Sequence, residues 1–416
     1  MNVIKKVGMT EQVRRFRARF VQGGGTLLGS VLTGRLLQEV VYEETGRWRE
    51  RIYGPLTTLV LFLEQVLGGD RSCHDAVARG LSLRVSQGQA PCGLNTGAYC
   101  QARARLSAGL VERLGRVVAA RLCAAQPKQW LWHGREVKLV DGTTVSMPDT
   151  KANQGAFPQN HEQKPGLGFP LARLLGILSR SCGAIVEWAV GPCEGKQTGE
   201  TAVLWRLMDR LLPGDVVVAD RYFAGYFGIA RLYQLGMDVV IRQHPLRRTD
   251  FRRGERLGRR DHKVQWARPP RPVWLDPATY LQMPEFLVMR EVRSGDLTLV
   301  TTLLDAKEVG KQELIDLYAQ RWQIELDFRA IKSVMQMDIL RCKTPDMIQK
   351  EIAVHFLACN LIRTVMAQAA CLACLLPRQL SFKASLQILN AFEENLRHAP
   401  RGRLPACQDI VLGSIA

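Results

Sequence analysis

Apolar residues recur at helical spacing through the first 130 residues, and glycine or proline interrupts the pattern between segments. Thr10 can cap a first helix that ends near Phe20, and after a run of glycines a second helix continues to about Glu44. Further helices are predicted over 55–67, 72–80 and 107–124. The pattern therefore predicts an all-helical N-terminal region over residues 1–130.

After Trp130 the pattern changes to short β-rich runs, which predict strands over 135–141, 172–179, 184–190, 215–219 and 238–242. One helix from 199 to 212 and another that ends near Leu235 separate the last three strands. The order of three strands, helix, strand, helix and strand is that of an RNase H-like domain. We therefore predict an α/β fold with a mixed sheet covered by helices on both faces, built from 131–243 and 307–343.

Between these two parts, residues 244–306 are predicted to be a β-rich basic insertion. Arginine dominates 247–263, Trp266 and Trp274 follow among prolines, and strands are predicted over 286–292 and 297–304. Positive charge combined with aromatic rings suits DNA that is held through phosphate contacts and base stacking. A disordered basic loop is the alternative for 247–263.

The C-terminal region, 344–416, is predicted to be helical, with helices over 344–374 and 381–397. Its apolar stretch 352–376 is the longest in the chain. His355, Asn360 and Arg363 interrupt that stretch, whereas a membrane span carries few such groups. We predict a buried helix and no membrane association.

Charge narrows the partners of the chain. Its 416 residues include 57 Lys and Arg against 39 Asp and Glu, a formal charge of +18, so a polyanion is the expected partner. Arginines on the N-terminal helices suit double-stranded DNA read by a helix in a groove, and a helical bundle with solvated arginines is the alternative. The start of the chain has no signal-peptide pattern, which predicts a cytoplasmic, nucleoid-associated protein.

The 11 cysteines lie mostly inside apolar patterns, and we expect free thiols in a reducing compartment. Cys371 and Cys374 form a lone CxxC in a hydrophobic run, which favours a core-packing role over metal binding. His161 and His244 have no second ligand at a useful spacing. We expect both histidines to face DNA or the surface.

The stretch 318–332 places an acid among bases on one helical stripe. At about 100° per residue, its polar members lie within an arc of roughly 60°; they are Tyr318, Arg321, Glu325 and Lys332. An apolar stripe beside them would attach the helix to a core; it comprises Leu317, Ile324, Phe328, Ile331 and Met335. An active-site helix and a solvated face with spaced Arg-Glu pairs are both compatible with this spacing alone.

The spacing Tyr, two residues, Arg, three, Glu, six, Lys resembles the signature of DDE transposases of the insertion-sequence-4 type. The resemblance covers about residues 95–395 and includes an insertion between the second Asp and the Glu. It implies that Glu325 is the third catalytic carboxylate, after Asp141 and after Asp220 in Val-Val-Val-Ala-Asp-Arg-Tyr-Phe. It further implies DNA-phosphate contacts and one basic residue facing the site, which are Tyr318, Arg321, Lys332 and Arg242.

Asp141, Asp220 and Glu325 would meet at one edge if the strands pair as in an RNase H-like sheet. Taken singly, Asp141 has an ordinary interpretation as a turn residue and Asp220 as a helix cap. Three clustered carboxylates repel one another unless a cation neutralises them, and Mg²⁺, with Mn²⁺ as a substitute, suits such oxygen ligands. We therefore expect all three to bind metal in a device that cuts phosphodiester bonds.

The resemblance implies a cut-and-paste transposase that binds terminal inverted repeats and target DNA, and that forms a homodimer in the synaptic complex. In some relatives a tryptophan of the insertion stacks on a flipped base, a role open to Trp266 or Trp274. A catalytically idle DNA-binding derivative, acting as a repressor or a domesticated factor, is the alternative function. A metal-dependent nuclease without strand transfer is a third hypothesis.

Overall fold

The protein is described here by a computed structural model covering residues 51–86, 88–164, 166–195, 198–400 and 402–416, with Val40, Glu43 and Glu44. The helix predicted over 10–20 lies outside these residues, as does nearly all of the one predicted to end at Glu44. Within them, the main feature is a nine-stranded sheet with helices on both faces.

Four described helices precede the sheet: α1 (Pro55–Leu67), α2 (Cys73–Ser86), α3 (Gly97–Arg105) and α4 (Ala108–Ala124). Proline at the first position suits the start of α1, because its missing N–H is not needed there. The Ser107 hydroxyl accepts a hydrogen bond from the Leu110 N–H at 3.3 Å and caps α4. The helices predicted over 55–67 and 107–124 are confirmed, and α2 extends six residues beyond its predicted end at 80.

The first five strands are β1 (Val137–Ser146), β2 (Leu171–Ser179), β3 (Ile185–Pro192), β4 (Val216–Ala219) and β5 (Asp238–Arg242). They lie in the order β3-β2-β1-β4-β5. Strands β1 to β3 pair antiparallel, while β4 pairs parallel with both β1 and β5. The intervening helices are α5 (Lys151–Ala156), α6 (Glu200–Leu207) and α7 (Tyr226–Gln234). The predicted α/β class is confirmed, and the five predicted strands are present, with the unpredicted helix α5 between the first and the second.

The insertion extends the same sheet. Its elements are β6 (Glu255–Gly258), β7 (Asp261–Ala267), α8 (Pro277–Gln282), β8 (Phe286–Ser294) and β9 (Leu297–Thr301), and β9 pairs antiparallel with β5. The alternative of a disordered loop is wrong for 255–263, which form the hairpin of β6 and β7. Fully buried Arg290 donates to both carboxylate oxygens of Asp261, at 2.9 and 2.7 Å, and so links β8 to β7.

Six helices follow the sheet in the described residues: α9 (Lys311–Ala319), α10 (Trp322–Arg329), α11 (Pro345–Leu372), α12 (Phe382–Ala391), α13 (Glu393–His398) and α14 (Leu404–Ile415). By length and composition α11 could cross a membrane, yet 89% of its most apolar window is buried inside the protein. The prediction of a buried helix is confirmed. The all-helical C-terminal region gains α14, which the sequence pattern did not predict.

The core consists of two main layers, one on each face of the sheet. The first contains apolar residues of α1, α4, α10 and α11, and the second contains those of α6, α7 and the insertion. The described N-terminal helices therefore share a core with the sheet. The eleven cysteines are all free thiols, as predicted, but Cys371 and Cys374 are exposed at the end of α11, so their predicted core-packing role is wrong.

Candidate active site

Asp141 lies inside β1 and not in a turn. The sequence predicts that the strand ends at Asp141, but β2 pairs with β1 from Lys138 to Ser146, so Gly142 and the threonines after it stay extended. The parallel pairing with β4 ends earlier, at Val140 opposite Ala219. Asp141 and Asp220 therefore both lie one residue beyond the last paired positions, at the same edge of the sheet.

Asp220 follows β4 directly and begins a short 3₁₀ turn over Arg221–Phe223. Its carboxylate accepts a hydrogen bond from the Tyr222 N–H at 2.8 Å. The capping interpretation of Asp220 is therefore confirmed. Only one carboxylate oxygen forms this bond, so capping is compatible with a second role for the other oxygen.

The stretch 318–332 does not form the single regular helix that its spacing predicts. α9 ends at Ala319, α10 begins at Trp322, and residues Ala330–Val334 form a π-helical turn. At the junction the Arg321 N–H bonds to the Tyr318 carbonyl at 2.9 Å, a tight i to i−3 contact. The tight turn at Arg321 and the wide π-turn after α10 change the angles at which the four polar side chains project, compared with a regular helix. π-turns are frequent at functional sites.

The apolar stripe attaches α10 to the sheet as predicted. All five of its members are at most 4% exposed: Leu317, Ile324, Phe328, Ile331 and Met335. Phe328 lies against Gly176, which is the β2 partner of Asp141, and any side chain at position 176 would overlap its ring. Glycine at this position therefore lets α10 pack closely against β2, beside the strand that carries Asp141.

Arg321 bridges two of the three candidate carboxylates. Its guanidinium donates to Asp141 Oδ2 at 3.0 Å and to Glu325 Oε1 at 2.8 Å. The three side chains are partly accessible, with 17%, 18% and 33% exposure for Arg321, Asp141 and Glu325. The cation that neutralises this pair is therefore an arginine on the same helical segment as Glu325.

The electrostatics show that the three acids act on one another. Burial raises the pKa of Asp141 above its ordinary value, and the charges of Asp220 and Glu325 raise it further, against the lowering effects of the Gly142 N–H and Arg321. Burial alone would lower the pKa of Arg321, but its hydrogen bond to Glu325 and the charge of Asp141 raise it overall. The sheet edge is thus rich in negative charge that a cation stabilises.

The other predicted DNA contacts surround this edge. Lys332 Nζ donates to the Thr144 carbonyl at 2.8 Å and lies 3.4 Å from Thr143 Oγ1, on the continuation of β1. Tyr318 is partly buried, which raises its pKa, and it lies within electrostatic reach of Asp220 and Arg242. Arg242 ends β5 and is exposed.

The sequence analysis missed Glu200, the first residue of α6. Its carboxylate occupies the space that a side chain at Gly142 would need. Burial raises the pKa of Glu200, and the charges of Asp141 and Asp220 add to this effect. The available signals were an acid opening a predicted helix and a glycine directly after Asp141. Neither signal reveals that the two positions meet.

Oxygen donors from Asp141, Asp220 and Glu325 are of the type that divalent ions such as Mg²⁺ prefer. In the arrangement seen here, no three His, Cys, Asp or Glu side chains among the described residues are grouped closely enough to hold a metal ion. Arg321 provides the positive charge between two of these acids. The carboxylates fit a divalent ion by their chemistry, and in this structure Arg321 donates to two of them.

The two tryptophans of the insertion differ in accessibility. Trp266 is 3% exposed, its indole donates to Glu291 at 3.0 Å, and the Arg247 guanidinium lies 3.7 Å above its ring. Trp274 is 50% exposed and packs edge-to-face against Trp205. Of the two, only Trp274 is substantially exposed to solvent.

Neither of the two histidines considered earlier is buried. His161 is exposed and its Nδ1 lies 2.5 Å from Glu194, while His244 is partly exposed and accepts a hydrogen bond from the Leu246 N–H.

The sequence of this chain matches a known protein family and known relatives. Residues 132–361, more than half of the chain, match the family described as the transposase DDE domain. The chain is 28% identical over 315 residues to the transposase InsG of insertion sequence element IS4 from Escherichia coli, which covers 74% of this chain and 70% of that protein. A match of 69 residues at 38% identity relates it to the transposase of insertion sequence element IS421 from Escherichia coli, covering 17% of this chain and 18% of that one.

Among solved structures, the piggyBac transposase synaptic complex with hairpin DNA aligns with a TM-score of 0.48 and 8% identity, covering 96% of this chain and 86% of that chain. The family match and the relative of insertion sequence element IS4 confirm the resemblance found in the sequence. This chain belongs to the DDE transposase family, and its relatives are transposases of insertion sequences.

Proposed function

We propose that this transposase binds the terminal inverted repeats of its insertion sequence and catalyses strand cleavage and strand transfer by a cut-and-paste route. The observation that carries the proposal is the bridge from Arg321 to Asp141, 180 positions away, and to Glu325. A solvated charged face of a helix would have no need to place an arginine and an acid beside an aspartate at the end of a strand. An active site for phosphodiester chemistry requires such a group of charged side chains.

In this proposal Asp141, Asp220 and Glu325 hold Mg²⁺, or Mn²⁺ in its place. DDE domains generally use divalent ions, which when bound stabilise the attacking and leaving oxygens of an in-line displacement. The role of the three acids is to fix the position of that charge at the edge of the sheet. Glycine at position 176 supports this role, because it brings α10 and hence Glu325 close to β1.

Arg321 is proposed to have two alternative partners. In this structure it neutralises Asp141 and Glu325; if a divalent ion were held by those carboxylates, the guanidinium would be available to donate to a DNA phosphate. Lys332, Tyr318 and Arg242 lie around the same edge and would hold the cleaved strand in place. Phosphate contacts of this kind position DNA without reading its sequence.

DNA is the proposed partner, as double-stranded terminal repeats and as target. The formal charge of +18 supports strong phosphate binding, so affinity for DNA should fall steeply with salt. Two ends must meet for transposition, and we propose a homodimer in the synaptic complex, which acts at the nucleoid. Sizing of the complex on paired ends tests the dimer, and one protomer per two ends would contradict it.

The experiment is a nicking assay on inverted-repeat DNA with the variant Glu325→Gln. The amide keeps the shape of the side chain but removes a negative ligand, so end binding should persist while cleavage and strand transfer fall by orders of magnitude. Asp316→Asn is the matched control, because Asp316 is an exposed acid on α9 that bonds only to Gln312 among the described residues. The control should cut like the wild type.

The same assay separates the other hypotheses. Wild-type protein that binds ends but never nicks them, in Mg²⁺ or Mn²⁺, supports a repressor or domesticated factor. Nicking without joining of the 3′ end to target DNA supports a nuclease without strand transfer. Cleavage that survives exhaustive EDTA treatment rules out the metal-dependent mechanism.

A further inference from the structure

A further carboxylate, that of Glu200, lies beside β1 next to Gly142, on the face of the sheet opposite to α10. Side chains of β1 alternate between the two core layers: Leu139 packs in the layer with α10, and Val140 in the layer with α6. By this alternation Asp141 faces α10 and Gly142 faces α6. Glu200, at the start of α6, meets β1 at Gly142.

Gly142 makes this approach possible. A Cβ at position 142 would overlap the carboxylate and the side-chain carbons of Glu200. Because the pairing of β1 with β4 ends at Val140, no backbone of β4 pairs with β1 at the level of Gly142. The Glu200 carboxylate therefore lies at the open edge of β1, next to the residue that bears the Asp141 carboxylate.

The surroundings of Glu200 are unusual for an acid that merely begins a helix. A first-turn acid interacts favourably with the helix dipole and usually keeps its carboxylate in solvent. Here the side chain is partly buried and shares its environment with the charges of Asp141 and Asp220. Arg173, whose charge lowers the pKa of Glu200, donates its own hydrogen bond to the Thr198 carbonyl at 2.8 Å. No side chain in the described residues forms a hydrogen bond or salt bridge with the Glu200 carboxylate.

We propose that Glu200 is a fourth carboxylate of the divalent-ion site, supplying an oxygen ligand from the α6 side of the sheet. The inference rests on the proposed function, in which Asp141, Asp220 and Glu325 hold the ion from the α10 side. Glu200 would supply a ligand from the α6 side, where none of those three acids lies. Gly142 is the residue that permits this, so its lack of a side chain is part of the site.

The test measures Mn²⁺ binding to the full-length protein as the loss of the free-ion signal in electron paramagnetic resonance. Glu200→Gln keeps the size of the side chain and should weaken Mn²⁺ binding roughly tenfold or more, as loss of supporting ligands commonly does. Glu200→Asp should recover part of the affinity. Asp209→Asn is the matched control, because Asp209 is a largely exposed acid near the end of the same helical segment.

A structural role predicts a different pattern. If Glu200 only stabilises the start of α6, Glu200→Gln lowers the melting temperature slightly and leaves Mn²⁺ affinity at the wild-type value, which would overturn the inference. Gly142→Ala gives a second route, because the added methyl group must displace the Glu200 carboxylate. We expect it to weaken Mn²⁺ binding in a protein that still unfolds cooperatively.

Asp141→Asn and Glu325→Gln distinguish this inference from the proposed function. If both variants weaken Mn²⁺ binding and Glu200→Gln does not, the proposed function stands and the fourth ligand is wrong. If both variants bind Mn²⁺ with the wild-type affinity, the proposed function fails and this inference fails with it. Weakening by all three variants, with Asp209→Asn unchanged, is the result we expect.

Discussion

Two carboxylates on α10, Glu325 and Asp327, lie two residues apart and meet arginines in opposite ways. Glu325 is 33% exposed and shares the single guanidinium of Arg321 with Asp141. Asp327 is 4% exposed and accepts from two arginines, Arg363 at 2.6 Å and Arg378 at 2.6 and 2.7 Å. One face of the helix thus has an accessible ion pair, and the other a closed one.

The difference follows from what surrounds each pair. Arg378 also donates to the carbonyls of Arg180 and Ser179, so the Asp327 cluster joins the C-terminal helices to the β2–β3 hairpin. A buried carboxylate with this many donors has no reason to exchange partners, and removing it leaves two arginines buried without their anion. At the sheet edge, solvent reaches the carboxylates of Asp141 and Glu325. We therefore propose that two similar Arg-acid contacts serve structure in one place and chemistry in the other.

The largest expected effect on stability is at Asp327. We predict that Asp327→Asn lowers the free energy of unfolding by roughly 3–5 kcal/mol, because it breaks a buried charge network by removing one partner. Glu325→Gln, which opens an accessible pair, should change stability by less than about 1 kcal/mol. Urea unfolding of both variants measures the difference. Equal losses would remove the contrast between the two faces of α10.

Lowering the pH should destabilise the folded protein through buried His355 more than through the groups at the edge of the sheet. Burial lowers the pKa of His355 to about 3, and Arg71 contributes to the lowering. The unfolded chain then binds a proton below about pH 6.5 while the folded protein does not, so stability is full above that pH and is lost as pH falls toward 3. This residue alone should cost about 2 kcal/mol between pH 6.5 and pH 5.

Urea unfolding at pH 7 and pH 5 tests the effect of His355, with His355→Leu as the variant. That substitution should remove this part of the pH dependence. His74→Ala is the control, because His74 is an exposed histidine on α2. A wild-type protein that loses no more stability between these pH values than His355→Leu would contradict the prediction.

Arg321 should show an intermediate effect, on activity and not on folding. We predict that Arg321→Ala and Arg321→Lys lower the cleavage rate and the lifetime of the DNA complex roughly tenfold or more, because a charge-assisted contact to a phosphate is lost or misdirected. Lysine keeps the charge but lacks the fork that spans two carboxylates. Single-turnover nicking and gel-shift dissociation rates report both quantities. If Arg321→Lys behaves as wild type, the bridge has no functional importance.

Lys332 is expected to give the smallest of these effects. Lys332→Ala removes a contact to the Thr144 carbonyl and one proposed phosphate contact, so DNA affinity should fall and its salt dependence should become shallower by about one unit of log-log slope. Filter binding across a salt series measures this slope. An unchanged slope would place Lys332 outside the DNA interface.

The sequence predicted the fold well where local patterns are decisive. The Val-rich run before Asp220 and the apolar stripe beside Glu325 each report burial directly, and both were correct. The predicted end of β1 at Asp141 was wrong. In the sequence, Gly142 and the threonines after it resemble a turn, whereas in the structure their pairing with β2 extends the strand. Such pairing is a tertiary property, and period-two patterns cannot reveal it.

The contacts within the candidate site could not be predicted from local sequence patterns, because they form only when the sheet is assembled. The bridging role of Arg321 depends on how the junction between α9 and α10 turns the guanidinium toward Asp141, and a regular-helix pattern does not show this turn. Glu200 and Gly142 meet only because α6 packs across β1. The resemblance to the transposase signature identified the three acids, but the contacts between distant segments decide which groups surround them.

The central claim is that Asp141, Asp220 and Glu325 bind a divalent ion at one edge of the sheet, and iron-directed cleavage of the polypeptide tests it most directly. Fe²⁺ in place of Mg²⁺ reacts with added hydrogen peroxide to give Fe³⁺, hydroxide and a hydroxyl radical, ascorbate returns the iron to Fe²⁺, and the radicals cut the backbone close to the bound ion. We predict fragments that end near residues 141, 220 and 325, suppressed by excess Mg²⁺ and by Glu325→Gln but not by Asp316→Asn. Cleavage elsewhere, or cleavage at these positions that Glu325→Gln leaves intact, would contradict the account.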